Sequence, residues 1–247
     1  MSERHILDAN LKRLKLSGML TNLDIRMKEA NDNDLSYLEF LSLLSQDEII
    51  QRDNNMFGKR IKSAGFCGEK TFEDYNFKFN EEYLPAKIIR ELGCCRFIDM
   101  RENVVIAGPP GIGKTHIAKA IGHQACRRGN DVLYKKAHQL LEELLQAKNF
   151  GRYEKLFKKC LKADVLILDD FAFRKMDSKE AEIFYSIVDE KVGRSSIIIT
   201  SNRPPQDWIG IFPDMVMGGA ILDRVVSSAH KLIITKAKSY RKEGKKE

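Results

Sequence analysis

Twelve residues, V-V-I-A-G-P-P-G-I-G-K-T from Val104 to Thr115, constrain this chain more than any others. An apolar run passes directly into the pattern G-x-x-x-x-G-K-[ST], and the residues that follow, H-I-A-K-A-I-G-H-Q-A-C, have helical periodicity. That order argues against an ordinary Gly/Pro turn and predicts a site for a nucleoside triphosphate. The candidate binding residues are Gly108, Pro109, Pro110, Gly111, Ile112, Gly113, Lys114, Thr115 and His116. Glycines let backbone N–H groups turn inward around a polyphosphate. Lys114 brings positive charge to the β- and γ-phosphates, and the Thr115 hydroxyl can ligate Mg²⁺. The phosphates then sit at a helix N-terminus, where the dipole favours anions.

A second motif turns binding into expected hydrolysis. Ala163–Asp170 reads A-D-V-L-I-L-D-D, a buried-type strand ending in two carboxylates. In phosphate-loop NTPases an acidic residue at such a strand end holds Mg²⁺, directly or through water, and Asp169 has that position. Asp170 then orients or deprotonates the attacking water. Many ATPases of this type carry Glu there, and Asp is one methylene shorter.

The chain has 247 residues, enough for one α/β domain and a smaller appendage. No apolar run approaches the ~18–20 residues needed to span a membrane, and the polar N-terminus is unlike a secretory signal, so a soluble, cytoplasmic protein is expected. Five cysteines without a C-x-x-C pair suit free thiols in a reducing compartment. Neither they nor His116 and His123, which lack an H-E-x-x-H pattern, form a metal-site signature. The net charge of +7 favours a polyanionic partner.

Residues 1–70 read as a helical interaction domain and linker, and 71–247 as the nucleotide domain with a basic tail. In the first part Ile6, Leu7, Leu11, Leu14 and Leu16 fall near one helical face, and Ser36 with Glu39 has capping-box spacing. The glycines and alternating aromatics from Gly65 to Phe79 read as a linker. Beyond residue 83 helices are expected over 84–92, 137–148, 153–161 and 179–191. Strands are expected over 103–107, 131–135, 165–168, 197–201 and 231–234. The fold class is α/β, a parallel sheet flanked by helices and preceded by a small all-helical domain.

Taken in order, G-P-P-G-I-G-K-T-H, V-L-I-L-D-D-F, I-I-I-T-S-N-R-P-P-Q-D-W, I-L-D-R-V and S-Y-R resemble the IstB family of AAA+ transposition helpers, relatives of the helicase loader DnaC and the initiator DnaA. The N-terminal L-K-R-L-K-L-S-G-M-L and L-S-Y-L-E-F-L resemble the helical domain of that family, so the likeness covers nearly the whole chain. It implies an ATPase using ATP and Mg²⁺, with Thr115 and Asp169 at the metal and Asp170, Asn202 and Arg224 as catalytic residues. Asn202 matches the sensor-1 position, although an Asn-Arg-Pro turn favours Asn anyway. Arg224 matches an arginine finger acting from a neighbouring subunit; a salt bridge to Asp223 or another surface carboxylate is the simpler reading. Arg241 either contacts phosphate, in cis or in trans, or belongs to the basic tail.

The resemblance further implies a homo-oligomer with ATP at subunit interfaces, assembled on DNA and acting on a transposase. A DnaC-type loader of a replicative helicase is the alternative, and a phosphate-loop kinase a weaker third. Lys148, Arg152, Tyr153, Arg174, Lys175 and Lys179 are the candidate DNA contacts. Solvated helix ends, with Phe150 and Tyr153 in the core, would account for the same residues.

Overall fold

The computed structural model describes residues 2–68 and 70–243, and divides into two units, Met1–Lys59 and Arg60–Glu247. The first unit contains α1 (Glu3–Arg13), α2 (Ser17–Asp32) and the greater part of α3 (Tyr37–Ala64), so the division falls inside a continuous helix. Its core is small: Leu11, Leu23 and Leu44, with Leu16, Met19, Leu20 and Phe40 against them. The single apolar face expected of α1 is only partly used. Leu11 is buried, but Ile6, Leu7 and Leu14 are exposed. The helix stops at Arg13 with Leu14 as its C-cap, and Lys15 takes a left-handed φ of 58°, which turns the chain towards α2. At the start of α3 the Ser36–Glu39 capping box forms in both directions.

The second unit continues through α4 (Ala86–Gly93), α5 (Arg96–Asp99), β1 (Asn103–Ala107), α6 (Lys114–Arg127), β2 (Val132–Lys136), α7 (Ala137–Asn149), α8 (Tyr153–Lys162), β3 (Val165–Phe171), α9 (Ser178–Lys191) and β4 (Ser196–Ser201). A 3-10 helix (Pro205–Ile211), α10 (Met215–Val226), β5 (Ala229–Ile233) and α11 (Tyr240–Glu243) complete it. The strands form one parallel sheet in the order β2-β3-β4-β1-β5. β1 and β4 are buried along their whole length, as continuous apolar strands covered on both faces must be. Helix α9 starts from a capping box between Asp177 and Glu180.

One difference from the expected elements bears directly on chemistry. The acidic strand does not end before its aspartates but runs on to Phe171. Its register with β4 steps between Leu168, which faces Ile199, and Phe171, which faces Ser201. Asp169 and Asp170 therefore stand opposite the single residue Thr200, a β-bulge, and Asp170 has a left-handed φ of 55°. A bulge re-aims side chains, and a non-glycine residue at positive φ is rare outside places where it is needed.

Candidate nucleotide site

The phosphate loop leaves β1 at the carboxyl end of the sheet and turns into α6. None of its three glycines can be replaced without a shift elsewhere, and at Gly108 (φ +156°) a Cβ would lie 2.6 Å from the Ile234 carbonyl oxygen. Gly111 has φ +85° and a Cβ there would lie 2.2 Å from Ser239 Oγ; Gly113 has φ +100° and would meet the Tyr75 ring at 3.3 Å. The loop is thus held by residues far from it in sequence. Tyr240 N–H donates to Gly111 C=O at 2.9 Å, and His116 Nε2 lies 2.8 Å from Thr71 C=O.

Beside the loop opens a cavity of about 600 Å³, within the range of small-molecule and cofactor sites. The loop residues from Pro110 to His116, with Lys136, Asp170 and Asn202, form its phosphate-side wall. Tyr75, Asn76 and Phe79 from the expected linker, and Tyr240 and Arg241 from the C-terminal segment, form a second wall that abuts the loop. The segment read as a linker is therefore a wall of the site. Its hold on the C-terminal segment is reciprocal. Asn80 Nδ2 donates to Lys238 C=O at 2.8 Å, Lys238 N–H donates to Asn80 Oδ1 at 2.9 Å, and Phe79 meets Tyr240 edge-on at 4.9 Å.

Lys114 is nearly buried and its ammonium donates to Gly108 C=O, Pro109 C=O and Asn202 Oδ1 at 2.7–2.8 Å. Burial lowers its pKa to about 8, against the opposing pull of Asp170 and Asp169, and Arg241 lowers it further. Asn202 is thus joined to the phosphate-loop lysine, and Arg241 lines the cavity of its own chain.

Asp169 is 1% exposed and does not itself line the cavity. Its carboxylate accepts from three hydroxyls: Thr115 at 2.9 Å and Thr200 at 2.5 Å on Oδ1, and Tyr134 at 2.6 Å on Oδ2. Because Thr115 gives its proton to Asp169, the lone pairs of its Oγ are left for a cation on the cavity side. Burial and the bond to Asp169 push the Tyr134 phenol well above its ordinary pKa, so it is a donor throughout the physiological range. Asp170 does line the cavity and pairs with Lys136 at 3.5 Å. Tyr134 had no motif to announce it, and Thr200 lies in the I-I-I-T-S-N-R run with no role assigned to it; both sit in buried stretches of strand.

A hydroxyl and a carboxylate are hard oxygen donors and suit Mg²⁺, which uses few protein ligands alongside phosphate oxygens and water. Among the described residues no group of three or more His, Cys, Asp or Glu side chains converges into a cage of its own.

Arg224 does not line this cavity. On α10 it pairs with Asp189 at 3.2 Å and lies over the Tyr185 ring at 5.2 Å, so its partner is Asp189 rather than Asp223. Of the candidate DNA contacts, Lys148, Arg152, Lys175 and Lys179 are exposed. Tyr153 is half-buried, stacked on Phe157 at 5.3 Å with the Lys148 ammonium 5.0 Å from its ring centre. Arg174 is exposed too, but paired: its guanidinium bonds both oxygens of the buried Glu180 and one of Glu142, and those bonds raise its pKa.

Comparison with known proteins places the chain in a family. Residues 9–247 match the family model of the IstB-like ATP binding protein. The chain belongs to this family. It is 38% identical over 225 residues, 91% of this chain and 89% of the relative, to an insertion-sequence ATP-binding protein of Mycobacterium tuberculosis. Among solved structures it resembles the DnaC helicase loader, with a TM-score of 0.56 at 21% identity over 67% of this chain and 96% of that one. It also resembles the replication initiator DnaA bound to AMPPCP and single-stranded DNA, with a TM-score of 0.57 at 21% identity over 72% of this chain and 53% of that one. At such identities the likeness is one of fold, and the fold is AAA+. Among the described residues no helix of this IstB-like protein is long and apolar enough to cross a membrane.

Proposed function

We propose that this IstB-like protein hydrolyses ATP with Mg²⁺, assembles on DNA as a homo-oligomer, and delivers or activates a transposase. The observation that carries the reading is the convergence of Lys114, Thr115, Asp170 and Asn202 on one cavity, with Asp169 bonded behind Thr115. The triphosphate lies along the loop, where Lys114 exchanges its carbonyl partners for phosphate oxygens. Tyr75 and Phe79 offer aromatic faces to the base. Thr115 directly, and Asp169 behind it, hold Mg²⁺, which when bound neutralises charge on the phosphates. Asp170 orients the attacking water and takes its proton, and Asn202 steers the terminal phosphate.

Arg224 completes the site from a second copy, since it is remote from its own cavity; such a finger is worth ~10³–10⁵ in rate in other NTPases. For DNA, the exposed Lys148, Arg152, Lys175 and Lys179, with Phe150 exposed beside them, supply phosphate contacts with little base reading. Arg174, exposed and held in place by Glu180 and Glu142, belongs to the same surface, and Tyr153 supports it from below. DnaA's complex with single-stranded DNA favours a DNA-binding role on the same fold, and the insertion-sequence relative favours a transposase as client. The fold likeness to the DnaC loader supports a second reading, in which the client is a replicative helicase.

ATP turnover of the full chain, with and without DNA and with a transposase encoded beside it, tests the proposal. Turnover is expected to depend on protein concentration and to rise with DNA. Mixing Arg224→Ala with Lys114→Ala subunits should restore turnover that neither has alone. Failure to do so in mixtures that co-assemble would exclude the finger in trans.

A further inference from the structure

The end of β3 is tied to both neighbouring strands by hydroxyl groups that the proposed hydrolysis does not yet use. Thr200, on β4 and 1% exposed, stands opposite both Asp169 and Asp170 in the bulge. Its hydroxyl donates to Asp169 Oδ1 and accepts from the Asp170 N–H at 3.1 Å. One side chain thus replaces the ladder bond that a bulge removes, and does so where Asp170 is held at φ 55°. From the other side, on β2, Tyr134 donates to Asp169 Oδ2 at 2.6 Å. The Tyr134 ring is itself fixed, 5.8 Å from the Phe66 ring and 4.7 Å from the Lys119 ammonium.

We propose that Tyr134 and Thr200 are positioning residues for nucleotide hydrolysis, the first acting through Asp169 on the cation and the second through the bulge on Asp170. The proposal rests on the hydrolytic reading of the site. Asp169 is too buried for water to orient it, so its hydroxyl donors set where its oxygens lie, and hence where Thr115 turns its lone pairs. Without Thr200 the Asp170 N–H loses its partner and nothing specifies the left-handed turn that aims this carboxylate into the cavity.

Full-length protein carrying Tyr134→Phe, Thr200→Val or Thr200→Ser tests this; each keeps most of the side-chain shape. A fluorescent ATP analogue without divalent ion reports nucleotide binding, and Mn²⁺ followed by electron paramagnetic resonance reports cation uptake by the nucleotide complex. Tyr134→Phe should leave metal-free nucleotide affinity unchanged and raise the Mn²⁺ needed for half-saturation about tenfold, the effect typical of losing a partner behind a metal ligand. Thr200→Val should lower kcat about 10–100-fold at saturating divalent ion with KM for ATP unchanged, and Thr200→Ser should restore it. Wild-type Mn²⁺ uptake in Tyr134→Phe, or a Thr200→Val loss that serine does not restore, would overturn the proposal. A wild-type nucleotide complex that takes up no Mn²⁺ would overturn the hydrolytic reading, and this proposal with it.

Discussion

The two walls of the nucleotide cavity are built in opposite ways. The phosphate-side wall is made of strand ends and their loops: Lys114, Thr115, Asp170 and Asn202 each lie within a few residues of a buried parallel strand. The second wall, Tyr75, Asn76, Phe79, Tyr240 and Arg241, comes from two segments outside the sheet, joined by the Asn80–Lys238 bonds across 158 positions of sequence. The first wall is fixed by a core that is present whatever occupies the cavity. The second holds its place through side-chain contacts with the loop and with itself. A rigid wall suits chemistry, where misplacement is costly, and a wall docked by a few contacts suits admission and release.

Substitutions on the two walls should differ in kind and size. Lys114→Ala has the largest expected effect: removing a buried cation from its phosphate partners costs roughly 2–5 kcal/mol, which takes ATP affinity down by about 30-fold to several thousandfold. Wild-type affinity in an equilibrium titration would refute the assignment. Asp170→Asn should retain binding and lower single-turnover hydrolysis at least about 100-fold, as expected for loss of a general base. Phe79→Ala, on the docked wall, should weaken ATP binding about tenfold, in line with the ~1–3 kcal/mol of a base–aromatic contact, and leave the chemical step intact. A change in the chemical step instead would mean the two walls are not separable.

The smallest effect is one of pH. Burial holds the Lys114 pKa near 8, so the free protein loses this charge as pH rises through that value. Phosphate binding needs the ammonium and takes up a proton above the pKa, so affinity is full below it and declines above. Between pH 7 and 8.5 the loss should be about fourfold by linkage, seen as a rising dissociation constant with proton uptake in two buffers. A flat profile would place the Lys114 pKa well above this range.

How far each wall could be read in the sequence follows from the same contrast. The phosphate loop, Asp169, Asp170 and Asn202 are legible because their chemistry is local: a motif, then an acidic or polar residue directly after an apolar run. The bulge was not, since V-L-I-L-D-D reads as a strand that stops, and nothing in the sequence states that Thr200 will face two residues rather than one. Tyr134 and Thr200 are hidden in continuous buried strand segments, which explain their burial without their hydroxyls. The docked wall reads as a linker because glycines and alternating aromatics look alike in either role. The pairing of Arg174 was hidden for a different reason. A basic residue beside a loop resembles a phosphate contact until Glu180, six positions later, claims it through the cap of α9. In the N-terminal unit the face of α1 was legible as amphipathic, but not where the helix would stop.

Hydrogen–deuterium exchange of the full chain, with and without ATP and Mg²⁺, tests the central claim that one nucleotide is held between these two walls. The account predicts protection in residues 70–80 and 236–241 as well as in 108–116. Protection confined to 108–116, with both segments of the second wall exchanging as in the free protein, would contradict it.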